Sequence, residues 1–225
     1  MSNSHDLPPT FSGVTPRGSA MFPRLNTPEV PPYDGYQGPP LYSVNLRVKD
    51  EEAAALKQQI DDLFEQNLAA WKSEKGDRKV RPADTRGYEA EYERDDDGNE
   101  TDELTGYTVF KFKLPAQITS RKTGKTFDLK PSLFDSKGHA TTVEVTGGST
   151  IKVKFEARGW YMPATKLAGV KLSVDAAQII KLASHGGDRG SFDGFDVEDD
   201  GFDATEESGG FVDESGDTAS SDGDY

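Results

Sequence analysis

Between residues 42 and 174 apolar and polar side chains take turns in short runs, and that alternation restricts the possible folds more than any other feature. In residues 42–48, Tyr42, Val44, Leu46 and Val48 share one face, while Ser43, Asn45 and Arg47 share the other. A period of two is that of a strand with one buried side. The pattern recurs at 107–114, where Thr108, Phe110, Phe112 and Leu114 oppose Tyr107, Val109, Lys111 and Lys113. It returns at 150–157 through Ile151, Val153 and Phe155, and at 169–174 through Val170, Leu172 and Val174. Thr123, Gly124 and Lys125 predict the turn of a hairpin between 117–121 and 126–129, and Asp135, Ser136, Lys137 and Gly138 predict another turn. Tyr88, Ala90 and Tyr92 fit a short strand, and 176–183 fits either a strand or a short helix. A single long helix is expected at 51–75: Asp50 is its N-cap, Glu51 and Glu52 suit its dipole, and Gly76 ends it. Its apolar stripe is Leu56, Ile60, Leu63, Phe64 and Trp71. One helix among roughly six to eight short strands predicts a mainly β fold, a small closed antiparallel barrel rather than a parallel α/β sheet.

The flanks have a different character. Residues 1–40 hold nine of the thirteen prolines, with pairs at 8–9, 31–32 and 39–40, and are expected to form an extended arm excluded from helix and central strand. The basic, proline-broken segment 78–86 and the acidic segment 95–103 read as loops. Beyond Gly186 and Gly187, residues 188–225 carry fourteen acids and one base with too little apolar content to pack, which predicts a disordered acidic tail. The expected organisation is therefore a proline-rich arm (1–40), a folded domain (41–187) and a tail (188–225).

The net charge of −14 would by itself repel nucleic acid. It is, however, segregated: −13 falls in 188–225, −10 in 50–104 and +8 in 105–187. Such blocks mark an interaction tail on a folded body. Other classes are excluded more firmly. With no cysteine there is no disulfide, thiolate metal site or cysteine nucleophile, and His5, His139 and His185 are too scattered for an all-histidine zinc site. No run reaches the ~18 apolar residues of a membrane span, and the N-terminus lacks an apolar signal core, so a soluble protein without a membrane role is expected. Gly124, Lys125 and Thr126 imitate the end of a phosphate-binding loop, but Thr119 stands where the glycine is required. Placing Gly98 at the sixth position of a calcium loop puts Leu104 at the twelfth, where a glutamate is needed. Neither an enzyme nor a cofactor is expected.

One constellation remains. Lys111 and Lys113, Lys152 and Lys154, and Lys171 project from three strands opposite their apolar faces, and would share a surface if those strands lie in one curved sheet. Between two of the strands, Arg158, Trp160, Tyr161 and Lys166 combine rings with bases. Lysines that track phosphate and rings that stack bases are what sequence-tolerant single-strand binding needs. Outward lysines are also what an ordinary solvated strand face carries. The tail separates the two readings. Its dense acids, interleaved with Phe192, Phe195, Phe202, Phe211 and Tyr225, copy the features of single-stranded DNA, so the tail could occupy a basic groove until DNA displaces it.

These residues resemble a known family. LYSVNLRV at 41–48, TVFKFK at 108–113, DSKG at 135–138, GGSTIKVKF at 147–155 and VKL at 170–172 are similar, in order and spacing, to the single-stranded DNA-binding protein of short-tailed phages of the T7 type. Gly186 and Gly187 leading into an acidic tail that ends in Asp224 and Tyr225 is similar as well. The resemblance implies an OB-fold-like closed antiparallel barrel that coats single-stranded DNA in the replication, recombination and repair of phage DNA in the host-cell cytoplasm. It implies strand annealing, homodimers, and recruitment of the phage DNA polymerase and helicase-primase by the tail, with the last aromatic, Tyr225, important; Phe202, Phe211, Asp222 and Asp224 are expected to join it as contacts. By position it places Trp160 in the groove and Lys79 and Arg81 in a DNA-touching loop. Met162 replaces a second groove aromatic, so stacking is expected to shift to Tyr161, and Tyr107 joins the expected surface. Two rivals lack DNA binding: an acidic-tailed chaperone, and a virion structural β-domain.

Overall fold

The structure, a computed structural model, describes residues 9–31, 35–73, 79–84, 86–120 and 122–183. Among the described residues, eleven strands and one helix follow in chain order. They are β1 (Thr10–Val14), β2 (Gly18–Glu29), β3 (Leu41–Lys49), α1 (Asp50–Ser73), β4 (Arg81–Pro82), β5 (Tyr88–Arg94), β6 (Glu100–Pro115), β7 (Gln117–Thr119), β8 (Thr126–Asp128), β9 (Ser132–Phe134), β10 (Thr150–Met162) and β11 (Leu167–Lys181). The fold is thus mainly β with one long helix, as the alternation predicts.

Pairing closes on itself through five strands. β10 joins β2 at Thr150–Ser19 and Ile151–Gly18, β2 joins β3, β3 joins β6, β6 meets β11 at Phe112–Leu172, and β11 returns to β10. The ring is antiparallel except where β6 meets β11, a parallel contact, so that part of the expected closure differs. Inward side chains fill the ring. Val44, Leu46, Phe110, Phe112, Ile151, Val153, Phe155 and Val174 are buried, and the Phe112 and Phe155 ring centroids lie 5.5 Å apart. The apolar stripe of α1 covers this core with Ile60, Leu63, Phe64 and Leu68, while Trp71 stacks on Tyr161 at 4.1 Å. Near the helix start, Asp50 accepts a hydrogen bond from the Thr108 hydroxyl and pairs with Lys57 at 3.7 Å.

Two differences from the sequence reading, and one choice that it left open, have local causes. The stretch expected as an arm outside the sheet contains β1 and β2, and β2 lies inside the ring between β10 and β3. The prolines permit this because each sits where no ladder N–H is needed: Pro16 between the strands, and Pro23 and Pro28 in the register breaks between Met21 and Arg24 and between Arg24 and Glu29. Three strands therefore precede the helix. The expected acidic loop shrinks to the turn at 95–99, where Asp95 receives the Asn99 N–H at 2.8 Å, and β6 begins at Glu100. The ambiguous run 176–183 continues β11 to Lys181. Its alternation slips at Asp175 because the register jumps there, with Lys154 opposite Ala176 and Phe155 opposite Val174, the geometry of a β-bulge.

Candidate functional site

A groove of about 470 Å³ runs where β6 and β11 meet. The two strands touch at one pair only, so their flanking side chains splay apart. Because Phe112 and Leu172 point inward, Lys111 and Lys113 on one strand and Lys171 and Ser173 on the other point out, and all four line the groove. Gly87, Tyr88 and Glu89 form one wall. Gly87 has φ +87°, and a Cβ there would sit 2.8 Å from Leu172 Cγ, so this crossing demands glycine.

Trp160 closes the end of the groove. It is half-buried on β10, directly opposite Gly169 of β11. A Cβ on Gly169 would lie 2.7 Å from Trp160 Cζ2, so the indole rests flat on the bare backbone of its cross-strand neighbour. Asn67 of α1 holds the same spot from inside. It is fully buried, and its Nδ2 donates to the carbonyls of Trp160 at 3.0 Å and Gly169 at 3.1 Å. Gly159 makes room for it, since a Cβ there would be 2.6 Å from the Asn67 side chain. Asn67 and the two glycines were not among the residues expected at the site. The signals are visible in retrospect: an amide within the helix's apolar stripe, and glycines in strand interiors.

Other expected residues distribute differently. Lys111 is paired with Glu89 of β5. Arg158 lies opposite Lys171 and pairs with Glu156 at 2.6 Å, at the groove's margin. Lys152 and Lys154 sit farther along β10, opposite Gln178 and Ala176, and do not line the groove. Arg81 and Lys166 meet at the β10–β11 hairpin tip, where Arg81 N–H donates to the Lys166 carbonyl at 2.8 Å and its guanidinium reaches the Thr165 carbonyl at 3.3 Å. Lys79 is exposed just before β4. Tyr107 lies beneath the Arg47 guanidinium, 3.5 Å from its ring centroid, six residues along β6 from Lys113 and outside the groove. Tyr161, to which stacking was expected to shift, packs on Trp71 and does not line the groove. The segment read as an irregular loop continues β10 to Met162, so alternation turns Trp160 and Met162 outward and Tyr161 inward onto Trp71. Phe202, Phe211, Asp222, Asp224 and Tyr225 lie outside the described residues.

The wall residue Tyr88 ties the groove to the helix. Its hydroxyl donates to Asp61 Oδ1 at 2.8 Å, which also accepts from Arg86 at 2.8 Å. Burial, and then the Asp61 carboxylate, push the Tyr88 phenol up to about 12. The folded state therefore favours the neutral phenol, and its contribution to stability is complete below pH ~10 and lost as pH rises through about 12. Tyr88→Phe is expected to flatten the fall in melting temperature across that alkaline window, and an alkaline melting series measures it.

Three comparisons bear on this geometry. The family model described as single-stranded DNA-binding protein, bacteriophage T7, matches residues 22–182. The single-stranded DNA-binding proteins of Escherichia phage T7 and Enterobacteria phage T3 are each 28% identical over 160 residues, covering 65% of this chain. The matched region spans about 64% of the length of these curated relatives. The crystal structure of a single-stranded DNA-binding protein encoded by bacteriophage T7 superposes with a TM-score of 0.63 at 23% identity, covering 87% of this chain and 100% of that one, a likeness of fold.

Proposed function

The chain belongs to the family of the bacteriophage T7 single-stranded DNA-binding protein, and we propose that it binds single-stranded DNA along the groove between β6 and β11 during phage DNA replication and recombination in the host cytoplasm. One observation carries the reading: three lysines and a half-buried tryptophan line a single groove. Phosphates lie on Lys113 and Lys171, a base stacks on Trp160, and Lys111 exchanges its exposed Glu89 partner for phosphate at little cost. Arg81 and Lys166 at the hairpin tip, and Lys79 just before β4, extend the cationic path beyond Trp160. The protein is a binding module, not an enzyme. The acidic segment 188–225, with Phe202, Phe211 and Tyr225, competes for the groove, and when displaced by DNA it recruits the polymerase and helicase-primase. Strand annealing and homodimerisation belong to the same proposal.

Salt dependence tests the phosphate contacts. The three groove lysines alone should make the logarithm of affinity fall against the logarithm of salt with a slope of about −2, from ~0.7 per contact, and each further cation of the path that meets a phosphate steepens it by about 0.7. Lys113→Ala should make the slope shallower by about 0.7 without changing thermal stability, since the side chain is exposed. A slope near zero for the unsubstituted chain would refute phosphate binding in the groove.

A further inference from the structure

Phe22 sits in the interior of β2, yet its φ is +48° and it is 74% exposed. A bulky side chain in the left-handed region is a strained conformation, and an exposed phenyl ring gains no burial to offset it. Lys166, also at positive φ, occupies a hairpin tip, where turn geometry accounts for it. Phe22 instead belongs to a β-bulge, where a left-handed residue is ordinarily glycine. It lies in the register break between Met21 and Arg24, where one extra residue on β2 turns the ring out of the alternation.

Its place in the sheet suggests a use. Met21 is opposite Asn45 and Arg24 opposite Ser43 on β3; Asn45 is in turn opposite Lys111, and Ser43 opposite Lys113. Lys111 and Lys113 flank Phe112, which meets Leu172 next to Lys171. A row of outward residues therefore crosses β11, β6, β3 and β2, from the groove to Met21 and Arg24, which flank the exposed Phe22, over a floor of the small side chains Ser43 and Asn45. With strands ~4.8 Å apart, the three steps from β11 to β2 follow the curved outside of the ring for about 14 Å, so the DNA strand would wrap around it. We propose that Phe22 is a second base-stacking platform, with Arg24 beside it for phosphate, so that single-stranded DNA leaving the Trp160 groove continues across β3 onto β2. Arg24 is tied to Glu29 at 2.6 Å with Glu144 nearby; the Arg24–Glu29 pair is exposed and weak, so a phosphate can take the place of Glu29. This inference rests on the proposed DNA-binding function and adds a site to it.

The test compares fluorescently labelled oligonucleotides of about 4 and about 16 nucleotides, the limits of a single-domain site. Phe22→Ala and Phe22→Gly should weaken binding of the long oligonucleotide about tenfold and leave the short one, which Trp160 alone accommodates, unchanged. Phe22→Trp should retain affinity for both. Phe22→Gly should also raise the melting temperature by about 2–4 °C, because glycine adopts the positive φ without strain. Unchanged long-oligonucleotide affinity in Phe22→Ala, or equal losses for both lengths, would overturn the second platform while leaving the groove intact. Failure of the unsubstituted chain to bind either oligonucleotide would overturn both the platform and the function it extends.

Discussion

Trp160→Ala is expected to weaken binding to single-stranded DNA by more than tenfold. A base stacked on an aromatic ring is worth about 1–3 kcal/mol, which spans roughly five- to more than a hundredfold in affinity. The indole is half-buried, and its support is the bare backbone of Gly169 rather than interlocking side chains. Its removal should therefore lower the melting temperature by no more than about 6 °C, and Trp160→Phe should recover most of the affinity. Titration of a labelled oligonucleotide, paired with thermal unfolding, separates the two effects. A large loss of thermal stability with affinity intact would make Trp160 a structural residue.

Asn67→Ala should act on the same ring from the opposite side. Its Nδ2 is a buried donor to the carbonyls of Trp160 and Gly169, and its removal deprives both of that partner while leaving a void beside Gly159. Leaving buried polar groups unsatisfied costs about 2 kcal/mol, or roughly 4–8 °C in a domain of this size. Asn67→Asp should not rescue the site, because a carboxylate has no N–H to donate. DNA affinity should also fall, though less than in Trp160→Ala, because the ring remains but its backbone anchor is gone. Stability loss without any change in DNA affinity would show that Asn67 serves the fold alone.

The sequence discloses the strands and the helix because burial on one face writes a period directly into residue order. It discloses the face of each lysine for the same reason. It does not disclose where around the ring a face points: Lys111, Lys113 and Lys171 converge because Phe112 meets Leu172, whereas Lys152 and Lys154 face outward elsewhere. That pairing joins residues sixty positions apart and leaves no local trace. β1 and β2 were obscured for another reason. Proline density argues against a strand on average, yet Pro23 and Pro28 fall in register breaks, where a missing N–H costs nothing. Tyr161 shows the reverse case: Gly159 and Pro163 suggest an irregular loop, but the alternation running on to Met162 already places Trp160 and Tyr161 on opposite faces.

The most direct test of the account is equilibrium binding of single-stranded and duplex oligonucleotides to the full chain and to a chain ending at Gly187. The account predicts that both forms prefer single strands and that loss of residues 188–225 tightens binding, because the acidic competitor is gone. Equal affinities for single strands in the two forms would contradict competition by the tail. Failure of either form to prefer single strands over duplex would contradict the central claim.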